Sequence, residues 1–240
     1  MNKLDWQATA LAASVAVVGV FGLSESAQAT FPGNFANASA YDISLTRIEL
    51  CQDAACTNSF VIGTGSQTFD IAGVGAGSDV GSYVDISGIP IGETWTHVRA
   101  TLSTTITVTA SGTDDQGTAC CTDATDTTSS HTALGVGTNG ACTATRQSLV
   151  VPNVDGFGAS LPSSDDYQGF NISKSDNAST MTIVYPLAEP YVCKGEMPII
   201  EVKFDTQSTL KFFDTNGAGA GNQCRLYPMP PTVTIAVSDP

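Results

Sequence analysis

The sequence predicts an all-β protein, a β-sandwich or jelly-roll-like fold with long loops pinned by disulfides. Three observations predict it. The chain is rich in Thr, Ser, Gly and Val, the residues of sheets and their turns, and poor in strong helix formers of the Lys and Glu kind. Short runs of alternating apolar and polar residues recur along it, separated by glycine- and proline-containing turns. Beyond the N-terminal apolar run, no helix-period segment is longer than two turns and no repeat has a fixed period.

The elements follow in order. Lys3, the apolar run 10–23 and the Ala27-Gln28-Ala29 tripeptide form the n-region, h-region and cleavage pattern of a bacterial-type export signal over residues 1–29. The run is shorter than the ~20 apolar residues a spanning helix needs, and no later stretch is long enough either. The expectation is therefore a secreted or surface-exposed chain starting at Thr30, with no membrane span. Residues 30–40, TFPGNFANASA, read as a flexible arm carrying Phe31 and Phe35. Tyr41, Ile43 and Leu45 alternate, and the apolar phase shifts to Ile48 and Leu50, as one strand with a bulge would do. Residues 60–62, 68–71 and 82–86 read as short strands.

The strongest strand signal is 94–110. Val98, Ala100, Leu102, Ile106, Val108 and Ala110 share one parity. At about 3.3 Å per residue it would exceed about 50 Å, so a bend is expected near Ser103-Thr104. Residues 111–147 are polar and Thr/Gly/Ala-rich, a loop or hairpin excursion; 152–179 form a second loop-rich stretch. Strands return at 181–185, 199–204, 209–213 and 232–237. Residues 41–240 are thus expected to form a single β-sandwich domain. Two smaller modules meeting near residue 112 are the alternative.

All seven cysteines follow the leader, and in an exported chain they point to disulfides. Cys51 and Cys56 bracket a short loop. Cys193 and Cys224 flank the last long strand pair and form a second expected bridge. Cys142 takes Cys121 or Cys120, because adjacent cysteines seldom bridge each other. Seven is odd, so one thiol remains free or pairs between chains.

A balance of 9 Lys+Arg against 23 Asp+Glu, net −14, argues against nucleic acid and anionic membranes as partners. Catalysis has little to stand on: there are two histidines, His97 and His131, and no G-x-S-x-G elbow. Paired C-x2-C zinc spacing and C-x-x-C-H haem attachment are absent as well. No enzymatic activity and no obligatory cofactor is expected. Calcium is the one ion the loops suggest, through Asp114, Asp115, Asp123 and Asp126, with further acidic groups at Asp165-Asp166 and Asp214; hard oxygen ligands suit it. Scattered aromatics (Tyr41, Tyr83, Trp95, Tyr167, Tyr185, Tyr191 and Tyr227) offer material for a glycan platform.

What exceeds a plain β-domain lies at the ends. Val233, Ile235 and Val237 alternate after Pro230-Pro231, a well-formed strand that either closes the chain's own sheet or is offered to another chain. The arm with Phe31 and Phe35 is the other extendable segment. This organisation (export signal, Thr/Gly richness, disulfides, terminal strands) resembles the broad class of secreted bacterial and archaeal β-sandwich subunits that build pili or tubular fibres by donor-strand exchange. The segment 89–103, IPIGETWTHVRATLS, is similar to one found in uncharacterised surface β-sandwich proteins. The resemblance implies a structural subunit that polymerises with itself into an extracellular filament. A monomeric adhesin with calcium or glycan sites in its acidic loops is the second expectation.

Overall fold

A computed structural model describes residues 33–73, 88–156, 162, 164–196, 198–214 and 224–238. The expected export signal, Phe31, the strand expected at 82–86 and the side chains of Asp165 and Asp166 lie outside the described residues. The elements are β1 (Asn34–Ala36), β2 (Ala38–Cys51), β3 (Ser59–Asp70), β4 (Thr94–Ser103), β5 (Thr105–Thr113), β6 (Ala119–Cys121), β7 (Gly135–Val136), β8 (Thr138–Asn139), β9 (Gln147–Val150), α1 (Ser164–Gly169), β10 (Ile172–Ser173), β11 (Thr180–Val192), β12 (Ile199–Asp205), β13 (Leu210–Phe213), β14 (Arg225–Pro228) and β15 (Thr232–Ser238). The fold is an all-β sandwich of two sheets. One has the order β1-β13-β14-β7; the other runs β12-β15-β11-β4-β2-β5-β6-β8, with β10 on β11, β3 on β2 and β9 on β5.

The alternation of 94–110 becomes β4 and β5, which lie end to end along β2: Leu102 faces Leu45 and Thr107 faces Asp42. The expected bend falls at Thr104. Its side chain is 2 % exposed, its N–H donates to the Ser179 carbonyl at 2.9 Å, and its Oγ1 donates to the Ala178 carbonyl at 2.9 Å. Beyond the bend the neighbour changes, for β4 pairs with β11 whereas β5 pairs with β9. The large sheet therefore forks at Thr104 into two wings. The bulge expected in β2 appears as register shifts after Leu45 and again after Ile48, where the apolar phase slips.

One core cluster joins both sheets: Tyr41, Leu45, Leu102, Val108, Leu149 and Ile183 of the large sheet pack with Leu210, Phe212 and Leu226 of the small one. It spans residue 112, so the described residues on either side of that point share one interior. A second cluster, with Leu50, Trp95, Val98, Leu187, Tyr191 and Ile235, fills the wing made by β4, β11 and β15.

At the N-terminal end an expectation is corrected, and at the C-terminal end one of the two alternatives is the arrangement within this chain. The arm is not free from residue 34 onward: Asn34, Phe35 and Ala36 pair with Phe212, Lys211 and Leu210, and β2 starts at Ala38. Gly33 makes this docking possible, since at φ +108° a side chain there would run into the Phe212 carbonyl. The other end, 232–238, occupies its own sheet, with Val233, Val237 and their neighbours registered on Phe204, Ile200 and the rest of β12, and Ile235 facing Leu187 of β11.

The disulfides are Cys51–Cys56, Cys121–Cys142 and Cys120–Cys224. The expected Cys193–Cys224 bridge is corrected: Cys193 is free and buried. The reason is alternation along β6. Neighbouring strand residues point to opposite faces, so Cys120 reaches inward to Cys224 at the head of β14 while Cys121 reaches Cys142. Cys193, at the end of β11, is enclosed in the other wing's core. The excursion 111–147 is thus a β-rich extension stapled twice.

Candidate functional site

Three features can carry function: the acidic loops, the sheet edge at β12 and β15, and an apolar cavity between the wings.

The acidic residues are engaged in building their own loops. Asp123 Oδ1 accepts from the Thr125 N–H and Oγ1, and its Oδ2 accepts from Thr138 Oγ1. Asp126 accepts from Thr128, from the Val136 N–H and from Gln147 Nε2 at 2.7 Å. Asp115 Oδ1 takes the Asp214 N–H, and the fully buried Asp114 takes the N–H groups of Gln116 and Thr118. These are short local turns. They hold the Asp123 carboxyl below its usual range, chiefly through the Thr125 N–H. Burial opposes ionisation of Asp126, but its hydrogen bonds outweigh it and the net direction is also downward. The four aspartates are not brought together into one ligand group. Among the described residues the grouping with metal-ligand spacing is Asp114 with Cys120 and Cys224, whose sulfurs are bonded to each other.

Among the described residues the candidate aromatics are packed inward and are not displayed together on the surface. Tyr41, Trp95, Tyr191 and Tyr227 are buried, and Tyr167 and Tyr185 pack against the main core; Tyr83 lies outside the described residues. Tyr167 sits on α1 and the other described ones on strands, and each has a packing role. The histidines are apart in role as well: a His97 ring nitrogen meets Thr96 Oγ1 at 2.8 Å, and His131 meets the Val151 carbonyl at 3.0 Å.

The edge is more distinctive. β12 is the last strand of the large sheet, with an outer side that no described strand covers. Glu201, Lys203 and Asp205 face solvent, Ile200, Val202 and Phe204 face inward, and Ile199 is 55 % exposed. β15 fits between β12 and β11. It makes seven register pairs with β12, from Ile199↔Ser238 to Asp205↔Thr232, but one, Leu187↔Ile235, with β11. β11 leaves the register of β4 between Pro186 and Tyr191, just where β15 meets it. Sequence reasoning found β15 and β12 from their alternation; the parallel seam to β11 had no local signal.

Behind this edge the inner face of the curled sheet leaves a cavity of about 130 Å³. Its floor is Ile43, Leu45, Ala100, Leu102 and Ile183; its roof includes Val202, Phe204 and Val233; Tyr227 to Pro231 and Pro162, Tyr167, Phe170 and Ile172 complete the lining. On the opposite face of β2 lies a charge cluster built around a buried carboxylate. Glu49, 3 % exposed, accepts from Arg99 Nε at 2.7 Å, from Arg47 at 3.1 Å and from Ser59 Oγ at 3.1 Å.

These features define a disulfide-stapled β-sandwich with an open sheet edge. Comparison with protein-family models, with curated proteins and with solved structures returns no match. No helix of the described residues is long and apolar enough to cross a membrane.

Proposed function

We propose that the chain is an exported structural subunit that assembles with copies of itself into an extracellular filament, exchanging the β15 strand between protomers. The export-type leader at 1–29 and three disulfides support an oxidising, extracellular setting. The observation that carries the assembly reading is the seating of β15: fully registered on β12, it shares one parallel register pair with β11 and packs Ile235, Val233 and Val237 into the wing's core. A copy of β15 from a neighbour can make the same seven pairs, so exchange conserves the interface and changes only the connection. That connection is Met229-Pro230-Pro231. Two consecutive prolines hold it extended and disfavour a tight return. A head-to-tail exchange of this kind does not close on itself and grows a fibre.

Lys203 and Thr234 are register partners on the solvent face of β12 and β15. Directly opposed residues stand about 4.5–5.5 Å apart at Cβ, close enough for a disulfide after small adjustment. With Lys203→Cys/Thr234→Cys, oxidation at micromolar concentration is expected to give a ladder of covalent multimers on a non-reducing gel, and regular fibres by electron microscopy. A single monomer band with uniform single particles would overturn strand exchange.

A further inference from the structure

We propose that the cavity between the wings is a binding site for a medium-chain aliphatic molecule carrying one neutral oxygen group, hydrogen-bonded to the Tyr185 hydroxyl. The shape comes first. The lining takes in β2 from Tyr41 to Ile48 together with residues of β4, β11, β12 and β15, a run of strands that a flexible chain can follow. The volume of about 130 Å³ is close to that of apolar protein cavities known to stay dry and to admit a molecule of benzene size. A six- to eight-carbon chain is therefore the appropriate length.

The chemistry of the walls comes second. The lining is aliphatic and aromatic throughout, and five of its residues are prolines (Pro152, Pro162, Pro228, Pro230 and Pro231), which bring no N–H to the mouth. Of the tyrosines in the lining, Tyr41 donates to the Met229 carbonyl at 2.9 Å, Tyr167 donates to the Pro152 carbonyl, and the Tyr227 ring packs edge-on against Phe213. Tyr185 has no hydrogen-bond partner among the described residues, although it packs against both core clusters. Its ring is half-buried, and its hydroxyl is free to donate to a ligand oxygen. Burial raises the Tyr185 pKa above its ordinary value, so the group is a neutral donor, and the same desolvation disfavours a ligand carboxylate. The occupant is thus an alcohol, ketone or ester end on an alkyl chain, not a fatty acid anion.

The test is calorimetric titration of the full chain with 1-hexanol and, separately, with hexanoate at neutral pH. One-to-one binding of hexanol that clearly exceeds hexanoate is expected. Tyr185→Phe keeps the ring and removes the hydroxyl; it should weaken hexanol binding about fivefold, the loss of one hydrogen bond. Ala100→Leu fills the slot from its floor and should abolish binding; an unchanged circular dichroism spectrum would show that the variant is folded. Absence of hexanol binding, equal binding of hexanoate, or binding indifferent to Tyr185→Phe would each overturn the assignment.

Discussion

On the outer face of β2, the Glu49 carboxylate lies between Arg99 and Arg47 with the Ser59 hydroxyl completing its shell. The Arg99 hydrogen bond is the main cause that holds its pKa down to about 2, against the opposing effect of burial. A folded-state pKa depressed below the unfolded value near 4.3 means that the group stabilises the fold above the unfolded pKa. That stability is lost as pH falls toward the folded pKa. The window is therefore about pH 5 to pH 2, and the amount is on the order of 3 kcal/mol. Urea unfolding followed by pH should show stability falling through this window in the wild type and a much flatter profile in Glu49→Gln. Arg99→Met should be worse than either, about 3–5 kcal/mol, because it leaves a buried carboxylate short of its principal partner. An unaltered profile in Glu49→Gln would sink this account. The cluster was not legible beforehand: Arg47, Glu49, Ser59 and Arg99 come from three strands, and their meeting depends on register.

At the scale of elements, the bend at Thr104 decides the shape of the molecule. Length alone required an interruption in 94–110. The side chain that fixes it is a buried threonine donating to Ala178 and placed under the turn that starts β11. Thr104→Val keeps the volume and removes the hydroxyl, leaving the Ala178 carbonyl without that donor. A loss of about 1–3 kcal/mol is expected in denaturant unfolding, with little change in the far-ultraviolet spectrum. A neutral result would mean that the fork is held by the backbone bonds of Thr104 alone. β1, β6 to β8 and β14 were not legible as strands. They are two to four residues long, too short for a period-2 pattern, and form because a neighbouring strand is already in place.

For the whole molecule, the bridge that matters most is Cys120–Cys224. It spans 104 residues and ties the β6 extension of the large sheet to the head of β14 in the small one, whereas Cys51–Cys56 spans 5. In the chain-entropy picture a loop of about 100 residues is stabilised by about 4–5 kcal/mol on cross-linking, and a loop of about five by about 2 kcal/mol. Cys120→Ser/Cys224→Ser should therefore lower the unfolding midpoint distinctly more than Cys51→Ser/Cys56→Ser. Equal effects would mean that the sheets are held by the shared core and not by the staple.

The sequence by itself determined the all-β class, the bulge in β2, the break near Thr104, and the Cys51–Cys56 bridge. Each of these is written in local alternation, strand length or short spacing. Only the tertiary structure decided that Cys120 and not Cys193 meets Cys224, that β1 lies on β13, that β15 fits between β12 and β11, and that a forked sheet leaves an apolar slot with Tyr185 in its wall. Those outcomes depend on which strands become neighbours across long separations, and pairing energies between strands are too alike for local composition to select among them.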